Sequence, residues 1–155
     1  MTTTKPGKDT SAGYDKFIQE IMIKAPASRI FEAVTSPKEL VEWWGVEGKF
    51  QVTKMESDLR PGGKWRMYLV DGAGASYTVA GEYREIDRPW LLTFTWIREQ
   101  EDSTETLVRW DLEEKNGMTK VRVTHSGFAS EAQRNRNSGW PMILGLLEAY
   151  LERVK

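Results

Sequence analysis

Residues 64–83 read KWRMYLVDGAGASYTVAGEY and hold the pattern that decides the fold. Before the glycines, Trp65, Met67 and Leu69 occupy alternate positions, as in a β-strand with one buried face. The central DGAG is typical of a tight turn, because Asp and Gly adopt the backbone conformations that such turns need. The stretch therefore predicts two antiparallel strands that share an apolar, aromatic face.

The same alternation extends over residues 50–128 and is interrupted by turn signals. These signals are RPGG at 60–63, DRP at 87–89 and KNG at 115–117. Between the turns, apolar and aromatic residues again fall on one strand face, which takes every second position. They are Tyr77, Val79 and Tyr83; Leu92, Phe94 and Trp96; Val108, Trp110 and Leu112; and Val121 and Val123, followed on the same face by His125. The region predicts an antiparallel meander.

Helices are predicted on both sides of this meander. A strand at residues 17–23 is followed by Pro26, which suits the first turn of a short helix, and residues 36–39 (SPKE) match a capping box that opens a second one. The main helix is predicted near the C-terminus, with a kink or restart near Trp140 because Pro141 disfavours helical geometry at the residue before it. Its apolar stripe consists of Trp140, Ile143, Leu144, Leu147, Leu151 and Val154.

Composition bounds both the domain organisation and the function. A length of 155 residues suits one domain, which we expect at 15–155 after a flexible tail at 1–14 that is poor in apolar residues. With 22 basic and 23 acidic residues, the chain has no net field that would attract nucleic acid. The absence of cysteine excludes disulfides, zinc-thiolate sites and cysteine nucleophiles. Without a secretory signal or an apolar run of roughly 18 residues, we expect a cytoplasmic protein that does not contact a membrane.

A series of short motifs identifies a family resemblance. In order along the chain they are Ala25-Pro26, IFEAVT at 30–35, Trp43-Trp44, DLRPGGKWR at 58–66, GEYREI at 81–86, LTFTW at 92–96, HSGF at 125–128 and Gly139-Trp140. Together they resemble the homologues of the activator of heat-shock protein 90 ATPase, within the START and birch-allergen-like superfamily. Two positions depart from the family pattern: Arg136 stands where the family usually has histidine, and Pro141 is atypical.

The resemblance implies an α+β helix-grip fold, in which a curved antiparallel β-sheet wraps around a long C-terminal α-helix and two short helices follow the first strand. It also implies a cavity between sheet and helix that takes up an apolar small molecule. In some eukaryotic relatives the domain docks on the heat-shock protein 90 chaperone. The same scaffold hosts carriers, cyclases and co-chaperones, so the resemblance implies no single reaction.

The aromatic faces of the predicted strands and main helix suggest where a hydrophobic small molecule would bind. Pockets are mostly apolar with a few polar groups, but the same side chains could instead form a packed core. The candidate ligand-binding residues are Trp44, Trp65, Met67, Tyr77, Val79, Tyr83, Phe94, Trp96, Trp110, His125, Trp140 and Leu144.

No catalytic residue, metal or cofactor is assigned. His125 is the only histidine, and it is either a neutral, hydrogen-bonded core residue or a group that contacts a ligand or acts in catalysis. A serine hydrolase is rejected because no Gly-x-Ser-x-Gly motif occurs. Arg134 and Arg136 have two interpretations: they contact an anion or a partner, or they are ordinary exposed residues on a solvated face. The functions that remain are small-molecule binding, a co-chaperone-like module and a cyclase- or hydrolase-like enzyme, in a monomer or homodimer.

Overall fold

The computed structural model describes residues 15–99 and 104–154, so the predicted tail at 1–14 lies outside the described residues. Its elements are β1 (Lys16–Ile23), α1 (Ala27–Thr35), α2 (Pro37–Trp43), β2 (Gly45–Val46), β3 (Phe50–Ser57), β4 (Lys64–Asp71), β5 (Ser76–Asp87), β6 (Leu91–Arg98), β7 (Thr106–Lys115), β8 (Met118–Ser126), α3 (Glu131–Arg136) and α4 (Trp140–Arg153). The predicted α+β helix-grip fold is confirmed.

The strands form one antiparallel sheet in the order β1-β8-β7-β6-β5-β4-β3-β2. The DGAG turn joins β4 to β5, and Leu69 lies opposite Tyr77. Asp71 closes this turn, because its Oδ1 accepts hydrogen bonds from the backbone N–H groups of Ala73 and Ala75, each at 2.9 Å. The predicted hairpin is confirmed.

Two register shifts curve the sheet. They lie in β3 between Val52 and Lys54 and in β5 between Tyr83 and Glu85, and such irregularities bend a strand and increase its twist. Beside the shift in β5, Thr93 Oγ1 accepts a 2.9 Å hydrogen bond from the backbone N–H of Glu85. Buried threonine on β6 thereby satisfies an amide at the point where the ladder is irregular.

Side-chain caps set the starts of two helices. Ser36 Oγ accepts from the backbone N–H of Glu39 at 3.3 Å and begins α2, as the capping box predicts. Ser130 Oγ likewise accepts from the N–H of Gln133 at 3.1 Å and begins α3. The predicted restart is confirmed, because α3 ends at Arg136 and α4 begins at Trp140.

Helix α4 buries its apolar stripe in the core that it shares with the sheet. Trp140, Ile143, Leu144, Leu147 and Leu151 are all buried. The inclusion of Val154 in that stripe was wrong, since this residue follows the last helical position and is 42% exposed.

A polar clamp ties α4 to the two short helices. Tyr150 on α4 donates to Glu39 Oε1 on α2 at 2.7 Å, and Arg29 on α1 makes a bidentate contact with the same carboxylate at 2.8 and 3.2 Å. Burial alone raises the pKa of Glu39, but these hydrogen bonds outweigh it and lower that pKa below its usual value. The carboxylate is therefore the centre of a contact among three helices.

The substitution Tyr150→Phe tests this clamp. It removes a hydrogen bond to a charged group, so we expect the free energy of unfolding to fall by about 1.5–3 kcal/mol. Tyr68→Phe is the matched control, because Tyr68 also donates to a glutamate, Glu56 at 3.0 Å, but on an exposed face. Urea unfolding should separate the two variants; equal stabilities would show that the Tyr150 hydrogen bond contributes no more than the exposed one at Tyr68.

Candidate ligand-binding site

A cleft of about 180 Å³ lies between the concave face of the sheet and the beginning of α4. Its wall is mainly apolar and aromatic, and its mouth lies beside the exposed residues Arg136 and Gly139. The lining residues are Trp44, Phe50, Met67, Leu69, Tyr77, Val79, Trp96, Arg98, His125, Arg136, Asn137, Gly139, Trp140 and Ile143.

Indole rings dominate the wall of the cleft. Trp140 has its ring centroid 5.9 Å from that of Trp44 and 5.7 Å from that of Trp96. Behind them, Trp65 lies 5.8 Å from Trp96, and Trp110 lies 5.9 Å from Trp140. These separations fall in the range of favourable aromatic pairs, so the structure brings together the five tryptophans among the candidate ligand-binding residues.

Hydrogen bonds fix two of these rings. Trp96 Nε1 donates to Asn137 Oδ1 at 3.1 Å, and Asn137 Nδ2 in turn donates to the carbonyl of Gln133 at 2.8 Å. Trp140 Nε1 donates to His125 Nδ1 at 3.1 Å. The wall is therefore held in place by the segment between α3 and α4 and by β8.

His125 is completely buried, and its partners determine its tautomer. An indole nitrogen can only donate, so His125 Nδ1 accepts from Trp140 and the ring proton resides on Nε2. Nε2 then donates to Thr106 Oγ1 at 2.7 Å, and that hydroxyl donates to the carbonyl of Trp96 at 3.0 Å. Both ring nitrogens are engaged within the protein.

The surroundings of His125 keep it neutral. Burial, with a smaller contribution from the charge of Arg98, lowers the pKa of His125 from 6.5 to about 3. A protonated ring would also bring its Nδ1 hydrogen against the N–H of Trp140. The geometry agrees with the interpretation of His125 as a neutral core residue that helps to form the wall.

A smaller inner void of about 30 Å³ lies behind the cleft. Trp44, Met67 and Trp96 line both spaces and separate them. The remaining lining residues of the void are Val34, Leu40, Met55, Trp65, Tyr83, Leu92, Phe94 and Trp110. The Tyr83 hydroxyl is bonded to Ser57 Oγ at 2.8 Å.

Trp65 brings the polar edge of its indole close to β5. A Cβ atom at Gly81 would lie 2.9 Å from Trp65 Nε1 and 1.8 Å from the carbonyl oxygen of Thr95, so only glycine permits this approach. Trp65 Nε1 is buried and has no hydrogen-bond partner among the residues that the structure describes.

Two arginines lie at the mouth of the cleft. Arg98 donates from Nη1 to the carbonyl of Arg136 at 2.7 Å, and its guanidinium lies 5.8 Å from the centroid of the Tyr77 ring. Arg98 and Arg136 both line the cleft, whereas none of its described lining residues is acidic. By contrast, Arg134 lies over Phe17 and donates to the carbonyl of Lys16, so it joins α3 to β1 and lines neither space.

The candidate residues fall into three groups. Seven line the cleft, namely Trp44, Met67, Tyr77, Val79, Trp96, His125 and Trp140. Trp65, Tyr83, Phe94 and Trp110 line only the inner void. Leu144 is buried in the core and lines neither space.

Sequence reasoning missed several lining residues. Arg98 continues the parity of Phe94 and Trp96 on β6, and Leu69 continues that of Met67 on β4, so the period-two pattern could have identified both. Asn137 and Gly139 lie between α3 and α4, where no periodicity indicates which way a side chain points. Pro141 stands in the first turn of α4, where the missing N–H needs no helical partner.

Within the described part of the chain, none of the helices is long and apolar enough to cross a membrane. Nor do residues 15–99 and 104–154 contain a group of three or more histidine or carboxylate side chains that could hold a metal ion.

Solved structures share this fold. A protein from Rhodobacter sphaeroides superposes with a TM-score of 0.79 at 18% identity, over 97% of this chain and 98% of that one. The AHSA1-like protein from Aeromonas hydrophila gives a TM-score of 0.74 at 22% identity, over 90% and 93% of the two chains. CalU16 from Micromonospora echinospora gives 0.67 at 22% identity, over 88% and 73%. At these identities the likeness shows the fold alone.

The sequence itself carries the family assignment. A search of curated proteins found no match. Residues 24–152, however, match a family described as activator of Hsp90 ATPase homolog 1-like protein. This range includes both short helices, the sheet from β2 to β8 and almost all of α4. The chain therefore belongs to the activator of Hsp90 ATPase homolog 1-like family.

Proposed function

We propose that the protein binds a small hydrophobic molecule in the cleft beneath α4. The observation that carries this proposal is the open volume of about 180 Å³ beside a core rich in aromatic residues. An engineered apolar cavity of about 150 Å³ in another protein holds benzene, whereas pockets for drug-sized ligands measure roughly 300–1,000 Å³. The cleft therefore suits a molecule of one or two rings.

The wall favours a flat ligand. Trp44, Trp96 and Trp140 are rigid and pack at different angles, so a planar ring system can contact several indoles at once. At the mouth, Arg98 and Arg136 favour a neutral or acidic polar end over a cationic one. Of the two candidate tyrosines, Tyr77 lines the cleft and can orient a ligand there, whereas Tyr83 lines only the inner void.

The partners of His125 argue against the enzyme alternative. A general base needs a nitrogen lone pair that can reach the substrate, but Nδ1 accepts from Trp140 and Nε2 donates to Thr106. The proposal is therefore a binding protein that uses no histidine-based catalysis. We also infer a cytoplasmic location and a monomer or homodimer.

A chaperone-binding role is the second candidate, and the family match is the observation that favours it. It needs a surface contact and makes no use of the cleft. Co-purification with a heat-shock protein 90 chaperone would support it, and the absence of any complex at micromolar concentrations would oppose it.

Closing the mouth of the cleft should abolish binding. Gly139 is exposed, and a Cβ atom there meets nothing within 4 Å, so Gly139→Trp places a large ring at the mouth. We expect 2-naphthoate to bind the wild type and to lose about tenfold or more in affinity, equivalent to about 1.4 kcal/mol, in this variant. Isothermal titration calorimetry is the measurement.

Gly145→Trp is the matched control, because Gly145 is also exposed with open space at its Cβ position but does not line the cleft. It should bind the probe like the wild type. Equal affinities of all three proteins would place the probe elsewhere, and an absence of binding to the wild type by naphthalene-based probes would oppose the proposal.

The neutral state of His125 predicts a pH-dependent stability. Its pKa falls from 6.5 in the unfolded chain to about 3 in the fold, so its contribution is present above pH 6.5 and is lost as the pH falls toward 3. Between these two pKa values the unfolded chain binds one proton more than the folded protein. The free energy of unfolding therefore falls by up to about 1.4 kcal/mol for each unit by which the pH is lowered.

His125→Gln removes this titration, and the glutamine amide can still donate and accept hydrogen bonds. Urea unfolding at pH 7, above both pKa values, and at pH 4, between them, should show a larger loss of stability in the wild type than in the variant. Parallel curves for the two proteins would mean that His125 does not become protonated on unfolding in this range.

A further inference from the structure

We propose that Arg98 recognises a carboxylate on the ligand, so that the cleft binds an aromatic acid in preference to a neutral aromatic molecule of the same shape. The inference rests on the proposed function, because it concerns the ligand of the same cleft. It narrows the polar end of that ligand from neutral or acidic to acidic, and it assigns the recognition to a single side chain.

Arg98 projects from the sheet into the cleft. It is the last residue of β6 and shares the parity of Phe94 and Trp96, which line the cleft or the inner void. Its partner on β5 is Val79, which also lines the cleft. The sheet therefore directs a half-buried cation toward the space in which the ligand would lie.

Two contacts orient the guanidinium of Arg98. Nη1 donates to the carbonyl oxygen of Arg136 at 2.7 Å, and the group lies 5.8 Å from the centroid of the Tyr77 ring. A guanidinium is a planar fork of N–H donors that matches the two oxygens of a carboxylate. Because a carboxylate is a stronger acceptor than a neutral oxygen, it can displace neutral acceptors from this fork. The fork therefore discriminates an acid from an amide.

The surroundings of Arg98 give the cleft a polar end. A small pocket of about 10 Å³ adjoins the cleft there, and the residues that line both spaces are Trp96, Arg98, Arg136 and Asn137. The other residues around this pocket are all polar, namely Thr104, Thr106 and Gln133. Trp44 and Trp140 line the cleft alone. A ligand with a ring and an acidic group thus has one favourable orientation, with the ring against the indoles and the carboxylate at Arg98.

The charge of Arg98 acts inside the site. Burial is the main cause of the low pKa of His125, and the charge of Arg98 is the second. None of the described residues that line the cleft is acidic. An anion in the cleft therefore meets the field of Arg98 without a carboxylate from the described wall beside it.

Arg136 is less suited to this role. Its side chain is exposed at the end of α3, where water and salt weaken a contact between charges. Arg98, by contrast, is half-buried and extends from a strand of the sheet. Replacement of the two arginines should therefore have unequal effects.

Two ligands of the same shape test the inference. 2-Naphthoate and 2-naphthamide carry a carboxylate and a carboxamide on the same ring system. Calorimetric titration at pH 7 should show that the acid binds the wild type about fivefold to tenfold more tightly, because hydrogen bonds to a charged group contribute more than those between neutral groups. Arg98→Met should remove this preference by weakening the binding of the acid, with little change for the amide.

Arg134→Met is the matched control, because Arg134 lines neither the cleft nor the small pocket, and it should keep the preference. Arg136→Met should reduce the preference by less than Arg98→Met does. If Arg98→Met does not fold, a spectrum of the ¹⁵N-labelled wild type decides. The acid should then move the Arg98 side-chain N–H signals downfield further than the amide does.

The outcomes separate this inference from the proposed function. Equal affinities of the two ligands for the wild type, a preference that survives in Arg98→Met, or a larger loss in Arg136→Met overturns the inference and leaves the proposed function standing. Arg98 signals that both ligands shift equally have the same meaning. Binding of neither ligand overturns both.

Discussion

The hydrogen bond from Trp140 to His125 is the interaction on which the site depends. It joins the first turn of α4 to β8 and directs the Trp140 ring over the concave face of the sheet. The same bond fixes the tautomer of His125, which in turn bonds Thr106 on β7. Trp140, His125 and Thr106 are all buried, so water does not compete for their hydrogen bonds. These bonds therefore anchor the start of α4 at one defined position.

The cleft follows from rigid rings on a curved sheet. Indoles have few rotatable bonds and cannot deform to fill every space, whereas the register shifts in β3 and β5 curve the strands beneath α4. Contacts among Trp44, Trp96 and Trp140 leave an opening toward the segment between α3 and α4. The polar clamp at Tyr150 holds the other end of the helix, so both ends of α4 have polar anchors.

The helices and strands could be predicted from the sequence because their signals are local, whereas their assembly into a helix-grip fold was implied by the family resemblance. Alternation identified the strands, the capping box at Ser36 the start of α2, and Pro141 the restart at Trp140. Alternation also placed most candidate residues on the buried face. It could not separate the cleft from the inner void, because that division depends on how Trp44, Met67 and Trp96 pack. The role of His125 likewise depends on partners that are 15 and 19 residues away in the chain.

A crystal structure of the protein with 2-naphthoate tests the central claim most directly. The account predicts electron density for the naphthalene ring against Trp44, Trp96 and Trp140, with the carboxylate toward Arg98 and Arg136. Side chains that fill the cleft, with the probe absent from it at saturating concentration, would contradict the account.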